Sequence, residues 1–225
     1  MAESESKDSK DSKETKDSIF GEIVKNILAE TVGAPAEPPG VKASVIEWYG
    51  KNMVKFGYEM SEWSVGVLTD YLKGYNLWLC GRVGVGKTYF FDVMNRIRTS
   101  RRLEPIVKLS MIETQGWTME DARNWADENQ YSDVLIDDVG TESAEMVSYG
   151  QKVDLFPYLL EKRMQLTSKR THLTTNLGAS DIGKRYGLRV SDRFVQYFKF
   201  CKCPDKGSRR RNAPWKRSRN GEGVP

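Results

Sequence analysis

The sequence predicts an α/β domain in which a parallel sheet is covered by helices on both faces. Three observations lead there. From residue 76 onward, short apolar runs alternate with amphipathic helical stretches, the pattern of strand–helix–strand crossovers. A glycine-rich turn, Gly81 to Thr88, sits between the first apolar run and the helix after it. A later apolar run, Val134-Leu135-Ile136, ends in two acids, Asp137 and Asp138.

The elements follow in order. Residues 1–18 are Lys, Asp, Ser and Glu with almost no apolar side chains, so they cannot bury enough surface to order and form a polar disordered tail. In 19–40, Ile19, Phe20, Ile23, Val24, Ile27 and Leu28 share one helical face, and a Pro-rich linker follows. That face either packs on its own domain or binds a partner. Residues 41–75 read as mostly helical and hold Trp48, Tyr49, Phe56, Tyr58, Trp63, Tyr71 and Tyr75, an aromatic load suited to a core, with one or two left to flank a base.

The alternation then begins. Strands are expected at Asn76–Cys80, Pro105–Ser110, Asp133–Ile136 and Thr171–Thr175. Helices are expected at Tyr89–Thr99, at Thr118–Asn129 with Thr118 and Asp121 as a capping box, and at Val153–Arg163 with Pro157 near its start. The main domain is expected to span 41–200 and a basic tail 201–225.

Composition narrows the function classes. Of 225 residues 39% are hydrophobic, enough for a core, so the chain is not disordered throughout. No apolar run approaches the roughly 18 residues that cross a bilayer, and the charged N-terminus lacks a signal-peptide core, so a cytoplasmic protein without a membrane partner is expected. Three cysteines form no closed disulfide framework. The net charge of +4 is uneven. Residues 199–225 carry nine Lys or Arg against Asp205 and Glu222, which suggests an anionic partner such as nucleic acid.

The turn Gly81-Arg82-Val83-Gly84-Val85-Gly86-Lys87-Thr88 fits G-x-x-x-x-G-K-[ST] without a mismatch. Its glycines let backbone N–H groups turn inward around phosphate oxygens, and the next helix presents its positive end to the same anion. Lys87 reaches the β- and γ-phosphates, and the Thr88 hydroxyl suits Mg²⁺. Arg82, Val83, Val85 and Tyr89 complete the stretch lining an ATP molecule. Asp137 would hold the metal and Asp138 would polarise the attacking water. Asn176, just past the strand Thr171–Thr175, could orient that water. Arg189 and Arg193 lie four residues apart and share a face if helical.

Other chemistry-bearing residues read as packing. His172, the only histidine, falls inside a strand. Cys201-x-Cys203 lacks two further zinc ligands, and Cys80 suits a small apolar core position. Trp117 and Trp125 fit a core better than a base-stacking platform.

Taken in order, the P-loop, the run I-D-D-x-G-x-E (Ile136 to Glu142), T-T-N-L (Thr174 to Leu177) and Tyr186-Gly187-Leu188-Arg189-Val190-Ser191-Asp192-Arg193 resemble AAA+ ATPases of the DnaC and IstB type. That group contains replicative helicase loaders and transposition ATPases. The resemblance covers about residues 70–200. It implies a P-loop NTPase of AAA+ type with Walker A at Gly81, Gly84, Gly86, Lys87 and Thr88, and Walker B at Asp137 and Asp138. It also implies sensor 1 at Asn176 and an arginine finger at Arg189, with Arg193 second. Fewer than thirty residues follow Phe198, too few for a full helical lid domain. Asp138 stands where many such enzymes have Glu, and its shorter reach suits slow hydrolysis.

The implied protein is an ATP- and Mg²⁺-dependent homo-oligomer that binds single-stranded DNA and a replicative helicase. The alternatives are a transposition ATPase with a transposase as partner, a P-loop small-molecule kinase, and a nucleotide-binding module with negligible turnover.

Overall fold

The computed structural model describes residues 40–142, 146–148, 151–165 and 169–204. The expected tail 1–18, the helix and linker of 19–40 up to residue 39 and the basic residues after Pro204 lie outside the described residues. The chain divides into two compact units, the first holding described residues up to Tyr75 together with Asp92–Glu104, the second holding Asn76–Phe91 and the residues from Pro105 onward.

In the first unit, α1 (Ala43–Lys55) and α2 (Glu62–Leu72) join the later part of α3 (Lys87–Ser100). Ser61 caps α2 and shares a reciprocal box with Ser64. Ile46, Met53, Tyr58, Leu68, Tyr71, Met94 and Ile97 are buried; of the aromatic load Tyr58 and Tyr71 serve the core, Tyr49, Phe56 and Trp63 are half-buried, and Trp48 and Tyr75 are exposed. The Arg101 guanidinium lies 4.8 Å from the Trp48 ring centroid, and Arg98 Nη1 donates to the Tyr71 hydroxyl at 3.0 Å.

The second unit contains the sheet. Its strands are β1 (Leu77–Cys80), β2 (Val107–Ser110), β3 (Val134–Val139), β6 (Thr171–Thr175) and β7 (Lys199–Lys202), all parallel, in the order β2-β3-β6-β1-β7. A separate antiparallel hairpin of β4 (Met146–Ser148) and β5 (Gln151–Val153) follows β3. The helices are α4 (Met119–Glu128), α5 (Leu155–Met164), α6 (Ala179–Tyr186) and α7 (Leu188–Tyr197), with a short 3₁₀ turn at Met111–Thr114. Strands β1 and β6 are buried at every position, as strands covered on both faces must be. Their core includes Trp78, Leu109, Ile136, Phe156, Leu159, Leu173, Ile182 and Phe194.

The expected strand at Thr171–Thr175 is observed residue for residue, and Thr118 and Asp121 form the expected capping box. Strands β1 and β2 start at Leu77 and Val107, later than expected, and other boundaries differ as well. Strand β3 continues past Ile136 through both acids to Val139, because Asp137 finds buried partners inside the sheet. Helix α5 starts at Leu155, since Val153 belongs to the hairpin. Helix α3 starts at Lys87, so Lys87 and Thr88 are helical residues. The expected boundary at residue 200 falls inside β7, which pairs with β1 through Leu79↔Cys201 and extends to Lys202.

A buried arginine anchors the entry side of the sheet. Arg163 is 2% exposed and donates to Thr171 Oγ1 and to the carbonyls of Asn129 and Ser132 at 2.8–3.0 Å. Burial lowers its guanidinium pKa, with Asp133 opposing.

Candidate nucleotide site

The site forms where β1, β3 and β6 end. After Cys80 the chain enters the glycine-rich turn, with Gly84 at φ +85° and Gly86 at φ +99°, a region that disfavours other residues. Gly81 backs directly onto the residue that follows β7: a Cβ there would lie 2.7 Å from Cys203 Cβ. Val85 is buried, while Arg82, Val83 and Tyr89 are exposed.

Lys87 is 5% exposed, and its Nζ donates to Gly81 O (2.6 Å), Arg82 O (3.1 Å) and Asn176 Oδ1 (2.8 Å). All three acceptors are neutral. Burial pulls its pKa below the ordinary lysine range, with Cys203, Asp138, Cys80 and Asp137 opposing. A buried ammonium hydrogen-bonded only to neutral oxygens is suited to an arriving anion.

The metal side is equally ordered. Thr88 Oγ1 donates to Asp137 Oδ1 at 2.7 Å, and Thr174 Oγ1 donates to the same oxygen. Lys108 Nζ lies 3.2 Å from Asp137 Oδ2. A hydroxyl against a carboxylate is a hard-oxygen pair of the kind Mg²⁺ takes. Asp138 adopts φ +56° at the register shift between β3 and β6, and its N–H donates to Thr174 Oγ1 at 2.9 Å. An acid held in this region concentrates strain at the expected water-polarising position.

The structure therefore brings Lys87, Thr88, Asp137, Asp138 and Asn176 to one end of the sheet. It places Arg189 and Arg193 elsewhere, on α7, where both face Glu161 of α5 at 4.0 and 3.3 Å. Arg189 is 78% exposed, so it is directed to solvent.

Sequence reasoning missed two participants. Thr174 links the two acids of β3, and its signal was a hydroxyl residue in a fully buried strand, which must find a partner. Lys108 is a lone cation in an apolar strand, and Ser110↔Asp137 pairing brings its strand beside the acid. Glu142, part of the I-D-D-x-G-x-E run without an assigned role, is 6% exposed and accepts from Gly140 N, Arg185 and the Tyr186 hydroxyl.

The residues read as packing do pack. His172 is fully buried and accepts from Leu77 N at 3.2 Å. Trp117 and Trp125 are partly buried against the core. Burial pushes the Cys80 thiol pKa up, and its Sγ donates to Leu177 O. Among the described residues no cluster of three metal-ligating side chains occurs, and no helix is long and apolar enough to cross a membrane.

No family model and no curated protein matches the sequence. Solved structures do. The DnaC helicase loader superposes with a TM-score of 0.50 over 70% of this chain and 99% of that one, at 16% identity. The chain shares the α/β fold of that helicase loader. AMPPCP-bound DnaA from Aquifex aeolicus (TM-score 0.46, 18% identity, 68% of this chain) and a DNA replication initiation factor (0.49, 16%, 72%) are also similar. The chain spans about half the length of each of those two, 50% and 52%. The polar cluster of Lys87, Thr88 and Asp137 lies at the glycine-rich turn of this fold.

Proposed function

We propose that the chain binds Mg²⁺-ATP at the Gly81–Thr88 turn and hydrolyses it slowly as an oligomeric switch in DNA replication, a helicase loader of the DnaC kind. The observation carrying this reading is the joint placement of Lys87 on Asn176 and Thr88 on Asp137, two bonds that unite three separate strand ends in one phosphate-and-metal site. The P-loop amides and the start of α3 would hold the phosphates. Thr88 and Asp137 would hold Mg²⁺, which neutralises charge on the phosphates. Lys87 would leave its carbonyl acceptors for phosphate oxygen, keeping Asn176 beside the γ-phosphate. Asp138 would accept a hydrogen bond from the attacking water. Arg189 would complete the site of a neighbouring subunit, in keeping with its exposure. Single-stranded DNA and a replicative helicase are the proposed partners.

The test measures ATP binding and turnover with and without single-stranded DNA, and loading of a replicative helicase onto a DNA circle. ATP-dependent loading is expected. Tight ATP binding with no loading, but with ATP-dependent capture of a transposase, would assign the transposition role instead. Transfer of phosphate to a small acceptor would assign a kinase.

A further inference from the structure

Glu142 is a buried carboxylate that the ATP-site chemistry does not use, yet it ties two parts of that reading together. Its Oε2 accepts from Gly140 N at 2.9 Å, two residues beyond Asp138 on the same strand exit. Its Oε1 accepts from the Tyr186 hydroxyl, and Arg185 Nη2 lies 3.4 Å away. Arg185 Nη2 also donates to the Glu142 carbonyl at 2.9 Å. Both partners are the last residues of α6, and Gly187 alone separates them from α7, which carries Arg189 and Arg193.

The physics favours a rigid joint. Glu142 is almost fully buried and its carboxylate oxygens accept from an amide, a hydroxyl and a guanidinium, and bonds of this kind to a carboxylate are the strong ones. Tyr186 is held on its other side by packing: its ring lies 5.1 Å from that of Phe156, and Arg185 lies 5.4 Å from the Tyr186 ring. Burial and Glu142 together push the Tyr186 hydroxyl pKa well up, so it stays a donor. Helix α7 itself packs on the core through Val190 and Phe194, but the Arg189 side chain is fixed within the described residues by a long pair with half-exposed Glu161, and pairs of that type contribute little.

We propose that Glu142 is a positioning residue that, through Tyr186 and Arg185, sets α7 against the exit of β3 and so aims Arg189 at the neighbouring subunit's nucleotide. This rests on the shared-site reading above. It makes the finger presented outward depend on the conformation of the chain's own Asp138 segment.

The test uses Tyr186→Phe, which removes one donor and keeps the ring, with Glu142→Gln as the second variant. ATP affinity, ATP turnover and turnover in equimolar mixtures are measured on full chains. Each variant is expected to bind ATP like wild type and to lose at least about tenfold in turnover, the loss equivalent to one charge-assisted bond. Mixing with Lys87→Ala, which donates an intact finger, should restore activity. Mixing with Arg189→Ala, whose intact P-loop then relies on the misplaced finger, should not.

Rescue by Arg189→Ala alone would overturn the inference, because the defect would then lie in the variant's own P-loop side. Unchanged turnover, or rescue by neither partner while Lys87→Ala and Arg189→Ala rescue each other, would overturn it as well. If Lys87→Ala and Arg189→Ala fail to rescue each other, the shared-site reading falls and this inference falls with it.

Discussion

The two ends of helix α3 obey different rules. At its start, Lys87 and Thr88 are buried or half-buried, and their polar atoms reach Gly81, Arg82, Asn176 and Asp137. At its finish, Arg101, Arg102 and Leu103 are exposed, and the hydrogen bonds that end the helix are backbone bonds: Leu103 N to Arg98 O at 2.9 Å and Arg102 N to Thr99 O at 3.0 Å. The first end is specified by side chains that converge on phosphate and metal chemistry, the second by a backbone stop with Arg98 on Tyr71 and Arg101 on Trp48 beside it. Substitutions at the first should therefore affect nucleotide chemistry at nearly constant fold, and substitutions at the second should affect stability alone.

The strongest break of that comparison is Lys87→Ala. It removes the buried cation, and the neutral acceptors it leaves behind can be hydrated. ATP binding measured by fluorescence or calorimetry should drop by at least about a hundredfold and turnover should vanish, with circular dichroism unchanged. A folded variant that binds and hydrolyses ATP like wild type would remove the P-loop assignment.

Asp138→Asn comes next. The amide keeps the size of the side chain and, at φ +56°, Asn is as well tolerated as Asp. ATP affinity should hold, because Asp137 and Thr88 are untouched. Turnover should fall by about 10²-fold, the size of a general-base contribution. Equal turnover would move the water-polarising role to another residue.

These two variants also divide what was legible in the sequence from what was not. The P-loop and the fully apolar strands were readable because burial on both sheet faces leaves continuous apolar runs, as at Leu77–Cys80. The end of β3 was misread because Asp137 looks like a strand stop. Its carboxylate is instead accommodated inside the sheet by Thr88, Thr174 and Lys108, which come from β2, β6 and the start of α3. Their convergence depends on the order β2-β3-β6-β1-β7, which no local pattern encodes. Strand β7 was missed for a related reason: Lys199 and Lys202 make it look like tail, and only pairing with β1 reveals it.

Thr174→Val tests that convergence at a smaller scale. The valine fills the same volume but cannot accept from Asp138 N or donate to Asp137. One buried amide and one carboxylate oxygen each lose a partner, so stability should fall by about 1–3 kcal/mol in chemical denaturation. Mg²⁺-dependent ATP binding should weaken as well, since Asp137 loses a bond that orients it. No change in either measurement would show that Thr174 is only packing.

The smallest effect belongs to the far end of the helix. Arg102 has φ +57° at the position after the helix cap, where the pair of backbone bonds described above usually accompanies glycine. An L side chain held there costs roughly 1 kcal/mol, against which glycine gives back part as greater unfolded-state entropy. Arg102→Gly should therefore stabilise the chain by roughly 0.5 kcal/mol, a rise in Tm of about 1–2 °C for a protein of this size. Arg102→Ala keeps the unfavourable conformation and removes the guanidinium, so it isolates what the side chain itself contributes. A glycine variant more stable than wild type beside an alanine variant that is unchanged would confirm that backbone geometry alone governs this end. A loss of stability in both would mean that the arginine contributes contacts worth more than its strain, and the contrast between the two ends of α3 would then have to be redrawn. Neither variant should alter ATP affinity.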